Sequence, residues 1–83
     1  MPAPKREHRN YVRYQLKDRN KVVYRGITND PDRRYKEHQH DKQFTSMEII
    51  GPRVTEESAR KWEQESLETY KRNQGELPKY NCR

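Results

Sequence analysis

A glutamate interrupts the apolar stripe of one helix-forming segment in this sequence, and an arginine and a histidine share a face of another. In TEESARKWEQESLETYKRNQG the apolar residues Ala59, Trp62, Leu67 and Tyr70 recur at helical spacing, with Ser66 between them. Glu63 lies four residues from both Ala59 and Leu67, so it points the same way. A carboxylate on a buried stripe is costly unless a positive group neutralises it. A metal ion would do so, and so would a salt bridge to one of the chain's 19 Lys and Arg residues. In NDPDRRYKEHQH, Arg34 and His38 are spaced i, i+4 and project from one helix face. Arginine offers a planar fork to phosphate oxygens, and histidine titrates near neutrality. The neighbouring Arg33, Lys36 and His40 make a solvated basic face the plainer alternative. Tyr14 and Tyr24 belong to strand-like runs where aromatics usually pack, but their phenols still need polar partners.

These groups need elements to hold them. YVRYQLK, residues 11–17, alternates, placing Val12, Tyr14 and Leu16 on one face. Residues 22–27 form a second strand after a turn at Asp18-Arg19-Asn20. A three-residue loop would set Tyr14 directly opposite Tyr24 on the Val12/Leu16/Val22 face, whereas a two-residue turn would offset them. Asn29 or Asp30 can cap a helix over about residues 31–40, with Pro31 in its first turn. SMEII, 46–50, is a third short strand ahead of Gly51-Pro52. Thr55 is then the N-cap of a helix from about 56 to 72, followed by Asn73-Gln74-Gly75. ELPKYNCR packs back as an irregular or one-turn segment. The order ββαβα implies an α+β domain: a small three-stranded, mainly antiparallel sheet flanked by helices.

Composition narrows the class. Eighty-three residues make one domain. At that size only about 60–65% of the unfolded surface is buried, so the core is thin. With 28% hydrophobic and 39% charged residues the chain approaches disordered compositions, but its eight aromatic residues cluster with aliphatics in periodic segments. A net charge of +6 suits a polyanion, of which nucleic acid, DNA or RNA, is the commonest. Cys82 is the only cysteine, so no internal disulfide forms, which fits a cytoplasmic, nucleoid or nuclear setting. No apolar run is long enough for a membrane span or a secretion signal. Residues 1–10 read as a flexible basic arm and 11–83 as the folded domain. His38 and His40 form an H-x-H without a third spaced ligand, which disfavours structural zinc. Phosphate-cradling glycine loops and the nucleophile elbow are absent from the sequence.

Taken together, the pieces resemble the GIY-YIG endonuclease domain over residues 11–81. Tyr14, in Val12-Arg13-Tyr14, falls at the tyrosine of the family's first element, and Tyr24-Arg25-Gly26 falls at its second. Arg34 lies eight residues beyond Gly26, at the family's helix arginine, with His38 one turn later. Glu63 in KWEQESL matches the single metal-binding glutamate, and Asn81 after Tyr80 matches a late asparagine. The ordered set carries the likeness, since no single element is specific. The resemblance implies a divalent-metal-dependent DNA endonuclease leaving a 5′-phosphate and a 3′-hydroxyl. It assigns catalytic roles to Tyr14, Tyr24, Arg34, His38, Glu63 and Asn81, with one Mg²⁺ or Mn²⁺ on Glu63.

The motifs also depart from the family. The first lacks its glycine, and Arg25 replaces an apolar residue in the second. Arg25 either faces a helix, needing an acidic partner, or faces solvent and contacts DNA with Arg33, Lys36 and His40. The sequence ends at Arg83. Target affinity is therefore expected from the domain's own basic surface, a homodimer or a partner protein. Two other functions fit the charge and the altered motifs: a non-catalytic nucleic-acid-binding module, and an interaction subunit of a larger nuclease.

Overall fold

A computed structural model of the chain describes residues 9–81. Most of the amino-terminal arm, and Cys82, lie outside them. The elements are β1 (Tyr11–Asp18), β2 (Lys21–Thr28), α1 (Pro31–Asp41), β3 (Ser46–Val54), α2 (Glu56–Gln74) and a 3₁₀ turn (Lys79–Asn81). The fold is α+β with the expected order, and its antiparallel sheet runs β2-β1-β3. No helix among the described residues is long and apolar enough to cross a membrane.

The β1–β2 hairpin decides where the tyrosines go. Its turn has two residues, Arg19 and Asn20, both with positive φ (52° and 69°), the type I′ pattern whose twist suits a hairpin. From that turn alone Tyr24 would pair with Gln15 and face away from Tyr14. A bulge intervenes: Lys17 pairs with Val22 but Leu16 pairs with Tyr24, leaving Val23 as the extra residue. The one-residue shift returns Tyr24 to the Tyr14 face. Tyr14 then lies opposite Gly26, not opposite Tyr24 as a three-residue loop would have it. The two-residue turn pairs Val22 with Lys17, and Val23 takes the core position expected of Val22, 4% exposed.

Gly26 is required by space. A Cβ there would stand 2.7 Å from Tyr24 Cε2 and 2.9 Å from the Tyr14 hydroxyl. The two phenols therefore pack across a strand residue with no side chain of its own.

The core is thin, as the composition requires. Tyr14, Leu16 and Val23 form its centre, with Tyr24, Phe44, Met47 and Tyr80 packed against them. β3 runs four residues past the expected 46–50 because an edge strand tolerates a missing N–H at Pro52. Gly51 adopts φ +67°, and the pairing with β1 shifts register there. Both helices are capped as expected. Asp30 accepts from the Arg33 N–H, Thr55 accepts from the Ser58 N–H, and Gly75 closes α2 at φ +82°.

Arg25 resolves its two alternatives by joining β2 to α2. Its Nη1 donates to the Ser66 carbonyl (2.9 Å), and its guanidinium lies 5.5 Å from the centre of the Tyr70 ring. A carbonyl and an aromatic face take the place of the expected acidic partner. On the outer edge of β2, the Asn81 side chain accepts from the Arg25 N–H (2.8 Å) and donates to the Arg25 carbonyl (3.0 Å). The amide thus imitates one residue of a neighbouring strand and covers an edge that would otherwise be open.

Candidate active site

Three elements converge where β2 ends. Tyr24 and Thr28 come from β2, Arg34 from the first turns of α1, and Glu63 from the second turn of α2. Together with Tyr11 and Arg60 they line one polar cavity of about 280 Å³. Their positions follow from local rules. The bulge turns Tyr24 inward, Asp30 and Pro31 start α1 immediately after the strand, and Thr55 sets the phase of α2. Among the described residues that line the cavity Glu63 is the only carboxylate, alongside the cationic Arg34 and Arg60.

Behind the wall lies a buried hydrogen-bonded pair. The Tyr14 hydroxyl is 2.7 Å from His38 Nε2, and the three rings of Tyr14, Tyr24 and His38 have centroids 5.0–6.0 Å apart. Desolvation raises the Tyr14 pKa far above the ordinary phenol range. The Tyr24 phenol and Glu63 add to the rise, and Arg34 opposes it. Desolvation also lowers the His38 pKa, followed by the nearby Lys42 charge. Tyr14 therefore stays a neutral phenol hydrogen-bonded to a neutral imidazole, and the imidazole tautomer sets which of the two donates. Arg34 and His38 share a helix face as expected, but only Arg34 is exposed. His38 is 4% exposed and belongs to the core.

The remaining expected residues lie elsewhere. Arg33, Lys36 and His40 are exposed along α1, outside the cavity. Arg25 is turned onto α2, apart from Arg33, Lys36 and His40. Asn81 holds the β2 backbone and lines a separate groove that meets the cavity at Glu63 and Arg60. Three neighbours had not been singled out. Lys42 continues the Arg34–His38 row by another four residues and stands 5.1 Å from the Tyr24 ring centroid. Arg60 precedes Glu63 by three residues on the same face of α2, a signal already available in the spacing. Tyr11 gave no such signal, since nothing in the strand pattern separates it from other exposed-face positions.

No family model, no curated protein and no solved structure matches this chain. Among the described residues no group of three or more His, Cys, Asp and Glu is placed to hold a metal ion. A single carboxylate is nonetheless sufficient for Mg²⁺, which keeps several waters and takes substrate phosphate oxygens as its other ligands. The donor set at Glu63 fits that mode.

Proposed function

We propose that this protein is a divalent-metal-dependent DNA endonuclease of the GIY-YIG type. The observation that supports it is the meeting of Tyr24, Arg34 and Glu63, from three separate elements, on one polar cavity backed by the Tyr14–His38 hydrogen bond.

Glu63 would hold a single Mg²⁺ or Mn²⁺, which when bound polarises a non-bridging phosphate oxygen and the leaving 3′-oxygen. The chain's own residues supply the rest. Arg34, exposed at the cavity mouth, donates to the phosphate and stabilises the negative charge that grows on it during attack. Tyr24 is the phenol on the cavity wall, and as its phenolate it would be placed to accept the proton of the attacking water, becoming the neutral phenol. Tyr14 is unsuited to that step, because burial holds its proton firmly. It instead fixes the imidazole of His38, against which Tyr24 packs. Hydrolysis leaves a 5′-phosphate and a 3′-hydroxyl.

The exposed Arg33, Lys36 and His40 would steer and hold the DNA backbone alongside the site. The same surface supports a second reading, a nucleic-acid-binding module without chemistry. One assay separates them: labelled single-stranded, duplex and branched DNA with Mg²⁺, Mn²⁺ or EDTA, using the wild type and Glu63→Gln. The nuclease reading expects metal-dependent products, a loss of about 10²-fold or more in Glu63→Gln, and nearly unchanged DNA binding. Salt-sensitive binding by both proteins with no cleavage in either would favour the module.

A further inference from the structure

The polar cavity adjoins a second, wider depression of about 660 Å³. Tyr11, Asn29 and Arg60 wall both, and Asn10, Glu56 and Glu57 complete the far side. The chemistry of this neighbour differs from that of the cavity. Two carboxylates stand on it, and Arg60 is committed to one of them: its Nη2 and Nε lie 2.8 and 3.1 Å from Glu56 Oε2. Such a surface repels phosphate. It offers instead an aromatic side chain, side-chain amides and carboxylate acceptors, the groups that stack on a nucleobase and read its edge. The rim is tied down by Arg53, whose Nη1 donates to the Asn10 carbonyl (2.6 Å) and reaches the Asn29 carbonyl (3.5 Å).

We infer that this depression binds an unpaired nucleobase next to the phosphate held in the polar cavity, making the preferred substrate DNA with an unpaired nucleotide beside the cut. The inference rests on the proposed nuclease reading and specifies its substrate. A base within a duplex keeps its edge paired and its faces stacked, so it cannot enter. A bulged, frayed or single-stranded base can, at lower unstacking cost. Tyr11 on the shared wall supplies the stacking face. Asn10, Asn29 and Glu57 meet the ring's donors and acceptors. Glu57 accepts from an exocyclic amino group as carboxylates do at cytosine.

The test uses the full chain carrying Glu63→Gln, in EDTA, with a duplex containing one bulged 2-aminopurine and the same duplex fully paired. The bulged duplex should bind about tenfold more tightly, with a change in 2-aminopurine emission on binding. Tyr11→Leu should erase both the preference and the emission change. Tyr11→Trp, which keeps a stacking face, should retain them, and circular dichroism establishes that each variant is folded. Equal affinity for the two duplexes with unchanged emission overturns the inference. A parallel digest by the wild type with Mg²⁺ tests the nuclease reading separately. Emission change without cleavage keeps the base site and removes the nuclease. Cleavage of both duplexes alike without emission change does the reverse.

Discussion

At the residue scale, His38 shows how burial assigns a role that spacing alone left ambiguous. The ring is on the helix face expected for a phosphate-binding pair, but it is 4% exposed and hydrogen-bonded to Tyr14. Its pKa in the folded protein is lowered, so below the ordinary histidine value near 6.5 the unfolded chain binds the extra proton more readily. Folding stability is therefore full above that value and falls as the pH drops through the lowered one. His38→Gln retains a hydrogen-bond partner for Tyr14 and removes the titration. Urea denaturation from about pH 7.5 to about pH 5 should show a flatter profile for the variant than for the wild type. Parallel profiles would place the dependence on another group.

At the element scale, the hairpin is the device that builds the site. Its bulge brings Tyr24 round to the Tyr14 face, and Gly26 leaves the room both rings occupy. Gly26→Ala would drive a methyl group into two aromatic rings enclosed by the core. Overpacking of this kind costs about 1–3 kcal/mol, so the denaturation midpoint should fall accordingly. Cleavage by the fraction still folded should fall as well, because relief requires Tyr24 to leave the cavity wall. A variant with wild-type stability and activity would mean that the rings relax without moving the site. Arg25 and Asn81 act at the same scale: one holds α2, which carries Glu63, and the other holds the outer edge of β2. Both join elements that carry or border the site.

At the scale of the whole molecule, charge and size would set the strength of the proposed DNA binding. The net charge of +6 is large for so small a domain, but the cations have divided duties. Arg25 is turned onto α2, Arg53 ties loops together, and Arg60 pairs with Glu56. The proposed backbone contacts are Arg33, Arg34, Lys36 and His40, of which Arg33 and Arg34 also face Glu37. About three to four phosphate contacts give a log–log dependence of affinity on salt with a slope near −3. Fluorescence anisotropy with Glu63→Gln across a salt series measures it directly. A slope near −6 would require cations from outside this set, residues 1–8 among them.

Much of the fold was legible because it follows from short-range rules. Alternation in YVRYQLK, Asp30 and Pro31 before α1, and Thr55 with Glu56 and Glu57 at the start of α2 each act within a few residues. The spacing also put Glu63 on the apolar stripe and Arg34 on the same face as His38. The hairpin register was not legible, because a bulge at Val23 is favoured by packing of Tyr24 against Tyr14 and His38 and leaves no local mark. Nor was the direction of Arg25, whose partners Ser66 and Tyr70 lie more than forty positions away. By itself the sequence determined which elements form and which faces carry chemistry, since propensity, capping and periodicity are local. Only the tertiary structure decided that Tyr24, Arg34 and Glu63 share a cavity while His38 lies behind it and Asn81 beside it. Burial and long-range hydrogen bonding depend on which elements pack together, and no short stretch of chain contains that information.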